Sequence, residues 1–295
     1  MKVIKPNTIT VGMVAATTAT ETYATWSSAT TYALTDRKVY GNYIYESIQG
    51  SNLNKQPDTN PLWWSLIGPS NKWAMFDSEI NTNTIQASPL TVSVSPGLCN
   101  SISVLGITGT AISIVVKNGV GGATVYSKSL SLDGTVINDW YQYFFEPFVQ
   151  RGEVVLTDLP PYSNAYVTVS ITGSGSVGCG QLSLGTFYQL GNVQSGATAG
   201  ITDYSRKDTD SFGATTLVKR AFSKRMSVNL QLNTVEINKL QRILSDLRAT
   251  PCTWIGSENT QTYSPLVVWG FYRDFSINIA YPTISFCSLE VEGLI

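Results

Sequence analysis

Tyr166-Val167-Thr168-Val169-Ser170-Ile171 alternates apolar and hydroxyl side chains over six residues. A period of two puts Val167, Val169 and Ile171 on one side of an extended chain and Thr168 and Ser170 on the other, the pattern of a half-buried strand. Thr91-Val92-Ser93-Val94 repeats the pattern upstream, and Pro96-Gly97, Asn118-Gly119, Asp133-Gly134 and Pro160-Pro161 punctuate the interval with turn residues. Residues 78–190 therefore read as an antiparallel β-sandwich, with a jelly-roll arrangement as the expectation.

Downstream, residues 191–295 change character. Met226 to Leu232 alternates as a strand, and then Ile237, Leu240, Ile243, Leu244 and Leu247 recur at spacings of three and four until Pro251. That spacing predicts one apolar helical face, with Asn233 and Glu236 as a capping-box pair. Strands are expected at Pro265 to Tyr272, Phe275 to Tyr281 and Ile284 to Val291, making an α+β unit for assembly contacts with one main helix. The whole chain is expected to be mainly β.

Upstream, residues 23–77 hold Trp26, Tyr32, Tyr40, Tyr43, Tyr45, Trp63, Trp64 and Trp73 in one short span, the density of a separate small aromatic-rich module. Gly41-Asn42 between Lys38-Val39-Tyr40 and Tyr43-Ile44-Tyr45 predicts a two-residue hairpin, since both turn residues tolerate positive φ. The implied register sets Tyr40 against Tyr43 and Lys38 against Tyr45 on one face, with Val39 and Ile44 on the other. Residues 1–22 are polar and Thr-rich and read as an extended N-terminal arm.

Composition narrows function mainly by exclusion. The net charge is −1 and only 13% of residues are charged, so no field exists to draw nucleic acid or anionic lipid. No apolar run approaches the length of a bilayer span, and Pro6 with the Thr-rich tract after Met1-Lys2 lacks the apolar stretch of a secretion signal, so export by that route is not expected. Cys99, Cys179, Cys252 and Cys287 are too scattered for a metal knuckle or redox pair and read as buried thiols in a reduced compartment.

The chain has no histidine, which removes Ser-His-Asp and Cys-His catalysis and the commonest zinc ligand. Carboxylate pairs remain: Glu146 with Glu153, Asp203 with Asp208 and Asp210, and Glu290 with Glu292. None is placed across a scissile bond by the sequence, and no enzyme, metal or cofactor is expected. The run 203–210 reads as a solvated or subunit-facing loop, because it lacks calcium-loop spacing and carries Arg206 and Lys207.

The aromatic module is the place for binding. Sugar rings stack apolar C–H faces on Tyr or Trp while polar rims fix their orientation. Tyr40, Tyr43 and Tyr45 with Lys38, together with Trp64, are the candidate carbohydrate-binding residues; Trp26 and Trp63 read as core. The same aromatics would equally serve as a core for so small a domain.

Trp26, Tyr32, Asp36, Val39, Tyr40, Ile44 and Tyr45, followed by Pro57, Pro61 and Trp63-Trp64, resemble the chitin- and cellulose-binding modules of carbohydrate-binding families 5 and 12. The sequence departs from them at Thr35, where those modules usually carry Gly, and at Ile48-Gln49, where exposed aromatics often follow the second strand. Residues 68–77, the segment from Asp203 to Arg220 and the ending from Trp269 to Gly293 are similar to tailed-bacteriophage tail proteins. The resemblance implies a virion structural protein of the tail tip, baseplate or fibre-anchoring region, assembled in the host cytoplasm and released by lysis. Its partners would be other tail proteins, further copies of itself in a homo-oligomer, and a host-surface polysaccharide. Two alternatives stand beside it: a polysaccharide-processing enzyme or its non-catalytic glycan-binding accessory, and a module that docks protein where its relatives dock sugar.

Overall fold

The computed structural model describes residues 1–135, 137–259, 263–279 and 281–295. Val169 is nearly buried because it shares one rung with Ile114 on one side and Val92 on the other. Its neighbour Thr168 faces outward, where its hydroxyl meets Ser93 Oγ at 2.9 Å. The same alternation organises a five-stranded antiparallel sheet in the order Thr124–Ser131, Ala111–Asn118, Ala165–Thr172, Leu90–Val94, Val14–Thr17. Against its apolar face lie Ile102, Val104, Val154, Leu156, Leu182 and Leu184 from three strands of a second sheet. The result is a β-sandwich, and the fold as a whole is mainly β.

The second sheet has ten strands. It runs Glu153–Leu156, Ser101–Leu105, Gln181–Gln189, Lys2–Pro6, Cys252–Ile255, Val267–Asn278, Ile284–Gly293 and Phe222–Asn233. Asn192–Val193 and Thr198–Asp203 pair with different ends of the last. Every pairing is antiparallel. The sheet continues past residue 190, so the sandwich and the α+β unit share it.

Lys2–Pro6 is the element that differs most from its sequence reading as part of an extended arm. It is an inner strand, with Ile4 opposite both Phe187 and Thr253. Val3 and Ile4 are both fully buried, on opposite faces of the sheet and in different apolar clusters. A strand covered on both faces shows no alternation, and five residues give too little length for another signal. Val14–Thr17 completes the edge of the five-stranded sheet, so the N-terminal segment contributes to both layers.

The large sheet curls. Ser103 Oγ and Thr253 Oγ1 lie 2.6 Å apart although two strands separate theirs. Three inter-strand steps would span roughly 14 Å if flat. Farther around, Lys224 Nζ reaches Glu153 at 2.8 Å, joining the Glu153–Leu156 edge to Phe222–Asn233. The concave side packs Ile4, Leu105, Val155, Ile255, Val267 and Trp269.

On the opposite face sits the helix Ile237–Asp246, whose Leu240 and Leu244, with Leu247 just beyond, pack on Met226, Val228, Trp254 and Cys287. Its expected capping box does not form. A 3-10 turn, Thr234–Glu236, precedes the helix, and Asn233 makes no side-chain cap bond because it closes the strand, paired with Ile284. The two strands expected at Pro265 to Tyr272 and Phe275 to Tyr281 are one, Val267–Asn278, with a register shift between Tyr272 and Asp274; Ala280 in the second lies outside the described residues. All four cysteines are free and buried, and burial pushes the Cys179 and Cys252 thiols up to about 12.

Candidate functional site

The Gly41-Asn42 turn places Gly41 at φ +61° and closes Arg37–Tyr40 onto Tyr43–Ser47. The register is the one the turn dictates: Lys38 opposite Tyr45, Val39 opposite Ile44, Tyr40 opposite Tyr43. Trp64–Pro69 adds a third strand, with Leu66 opposite Tyr45 and Trp64 opposite Ser47. Residues that pair directly share a face, so Lys38, Tyr40, Tyr43, Tyr45 and Trp64 all lie on one side of this small sheet.

They are not equivalent. Tyr43 is 45% exposed, while Tyr40, Tyr45 and Lys38 are half-buried. Tyr40 meets Trp26 edge-on at 5.6 Å. Burial raises the Tyr45 phenol, and the nearby Asp58 carboxylate raises it further. Lys38 leans over the Tyr32 ring at 5.5 Å.

Trp64 is corrected. It is 3% exposed, packs edge-on against Tyr32 at 5.3 Å and donates its indole N–H to the Lys55 carbonyl at 2.7 Å. It is the module's core and offers no free ring face. Trp63, expected inside, is half-buried with Lys55 Nζ 5.5 Å from its ring. Adjacent residues in a strand point to opposite faces, and the doubled Trp does not say which one turns in. The loop that wraps Trp64, including the buried Asn52, decides it.

Thr35 occupies the position where the resembled modules carry Gly, and its φ is +72°. Its N–H donates to the Ser47 carbonyl at 2.8 Å, and Asp36 accepts from Ala33 N–H at 2.8 Å. The departure from the pattern thus leaves the turn geometry in place, at the strain of a β-branched residue in the left-handed region.

Beyond Tyr43 the face opens into a cleft of about 410 Å³ between the module and the large sheet. Trp73, Phe76 and Trp269 supply its aromatic wall, and Asp77, Gln181 and Ser183 its polar groups. Burial raises the Asp77 carboxyl above the usual range, against hydrogen bonds from Thr82 and Glu79. Gln181 is buried, and among the described residues its Oε1 has no hydrogen-bond partner. Residues 68–77 read as a joining stretch in sequence; the one signal they carried was Trp73 itself.

No protein-family model matches this chain, and no curated protein matches it.

Of the sequence's carboxylate pairs, Glu153 is taken up by Lys224 and by the Ser264 hydroxyl in closing the curled sheet. Glu146 ends the exposed helix Trp140–Phe145. Glu290 and Glu292 line a groove with Arg225 and Arg273. The run from Asp203 is a hairpin, Arg206–Thr209 with Thr215–Val218, where a loop was expected. Among the described residues no group of three or more His, Cys, Asp or Glu side chains converges to hold a metal ion, and no helix is long and apolar enough to cross a membrane.

Proposed function

We propose that the protein is a non-enzymatic structural component of a phage tail tip, baseplate or fibre anchor, and that its N-terminal module binds a host-surface glycan through Tyr40, Tyr43 and Tyr45, with Lys38 at the rim. The observation that carries the binding half is the shared face itself. An exposed Tyr43 stands directly opposite Tyr40, which meets the Trp26 ring edge-on, and Tyr45 lies on the same side of the sheet. A pyranose needs one apolar platform and a few donors at its rim, and this face offers both. The virion half is supported by the sequence resemblance to tail proteins and by a chain rich in Ser, Thr, Asn and Gly with only 13% charged residues.

Covering about 60 Å² of each ring at ~25 cal/mol/Å² is worth ~1.5 kcal/mol, close to tenfold in affinity per tyrosine. Co-sedimentation with chitin, cellulose and host envelope polysaccharide tests the reading. Retention by at least one of them, lost in Tyr40→Ala with Tyr43→Ala while the melting temperature holds, is expected. Retention of the double variant, or release of reducing ends from the glycan, contradicts it. Mass spectrometry of purified particles tests the virion assignment, which requires the chain to be present.

A further inference from the structure

The helix Trp140–Phe145 and its flank expose Trp140, Tyr141, Tyr143, Phe144, Phe145 and Phe148, from 58% for Phe148 to 80% for Trp140. No residue of the helix is buried. Six aromatic side chains of ~150–250 Å² each, about two-thirds exposed, present roughly 800 Å². That is what one partner gives to an interface of standard size, and well above the apolar patches left open on ordinary monomers. Asp139 caps the helix by accepting from Gln142 N–H at 2.7 Å, yet six residues are too few to hold a helix in water alone.

A second projection has the same problem. In the hairpin Arg206–Thr209 with Thr215–Val218, Leu217 is 76% exposed, and Phe212 at the tip is 95% exposed. A two-stranded hairpin with no covered face is marginal by itself. Neither projection covers the other within one chain.

Their charges differ in sign. Residues 132–150 contain Asp133, Asp139 and Glu146 and no Lys or Arg. Residues 204–222 contain Arg206, Lys207, Lys219 and Arg220 against Asp208 and Asp210. Arg206 is paired to Asp208 at 2.6 Å, and among the described residues Lys207, Lys219 and Arg220 form no salt bridge. The two projections also rise from one rim. Glu153, just after the first, pairs with Lys224, just after the second, and a cleft of about 420 Å³ there is lined by Gly152, Lys219, Arg220 and Phe222.

We infer that these projections form an interface between copies of this chain, in which the acidic aromatic segment 132–150 of one copy seats on the basic hairpin of another. Their common rim lets the contact occur twice about a two-fold axis, each copy giving one projection and receiving the other. Aromatic burial supplies the affinity, and the opposite charges set the orientation. A lipid surface is a poorer occupant, since three acids among the aromatics oppose anionic headgroups. The inference is independent of whether the Tyr43 face holds a glycan.

Sedimentation velocity on the full chain over a range of concentrations tests it. The unaltered protein sediments as an oligomer. Lys219→Glu with Arg220→Glu, and separately Asp139→Lys with Glu146→Lys, each weaken association by at least tenfold. Mixing the two variants restores it, because each reversed projection then meets its opposite. Asp139→Lys also removes a helix cap, so Glu146→Lys alone is run beside it and is expected to weaken association in the same direction. Thermal melts check that every variant is folded. A monomer at every concentration, with or without flotation on phosphatidylcholine vesicles, would overturn the inference; so would reversals that leave the mass unchanged, or a mixture that stays dissociated.

Discussion

Replacing Ile4 by Ala separates an inner strand from a loose arm. Ile4 is fully buried, flanked by Phe187 and Thr253 across the sheet and packed among Leu105, Val155, Ile255 and Trp269. The change deletes three carbons, about 2.4 kcal/mol at ~0.8 kcal/mol each. The surrounding strands are pinned on both sides and collapse little, so a cavity term adds to this, within the ~2–5 kcal/mol span of such substitutions. A loss of about 3–4 kcal/mol is expected, against ~0.5–1.5 kcal/mol for Ile4→Val and close to zero for Thr8→Ala at an exposed position nearby. Equilibrium unfolding in guanidinium, followed by tryptophan fluorescence because Trp254 and Trp269 lie on either side of this sheet, reads the difference. An Ile4→Ala loss below about 0.5 kcal/mol, no larger than that of Thr8→Ala, would refute the placement of Lys2–Pro6 and with it the curled sheet.

Three further outcomes follow from particular contacts. Lys224→Met leaves Glu153, 13% exposed at its side chain, with the Ser264 hydroxyl and the charge of nearby Arg151; because Lys224 is itself 34% exposed, the loss should be about 1–3 kcal/mol in urea unfolding, below that of a fully buried pair. Thr35→Gly should stabilise the module by roughly 0.5–1 kcal/mol, the relief of a left-handed Thr less the entropy of Gly, visible as a raised melting temperature. Burial raises all four thiols, Cys99 and Cys287 to about 11 and Cys179 and Cys252 to about 12. The unfolded chain therefore releases thiol protons that the folded chain keeps, so stability is full below pH ~8.5 and declines as pH rises toward 11; Cys179→Ala with Cys252→Ala should flatten that decline in guanidinium midpoints.

What the sequence disclosed depended on how many faces an element buries. The strand at Val167 to Ile171 covers one face and alternates, and the helix at Ile237 to Leu247 covers one stripe, so both were legible. The hairpin register was legible because Gly41-Asn42 admits few turns. Val3 and Ile4 bury opposite faces of an inner strand, which erases the period. The choice between Trp63 and Trp64 rests on a loop around Asn52 and Lys55 that no local rule orients. The aromatics of segment 132–150 carry no sequence mark of exposure, and only the fold leaves them uncovered. For the site, the Tyr40, Tyr43 and Tyr45 face was readable from the turn, whereas the Trp73 and Phe76 wall is assembled by packing between distant segments.

A solution titration of soluble host envelope oligosaccharide, read by calorimetry, reports whether the Tyr40, Tyr43 and Tyr45 face takes up sugar. Saturable binding that weakens about tenfold in Tyr43→Ala, and is unchanged in an exposed substitution remote from the face such as Val235→Ala, is the expected result. Absence of saturable binding to the host glycan, chitin and cellulose fragments alike, or equal affinity in Tyr43→Ala, would contradict it.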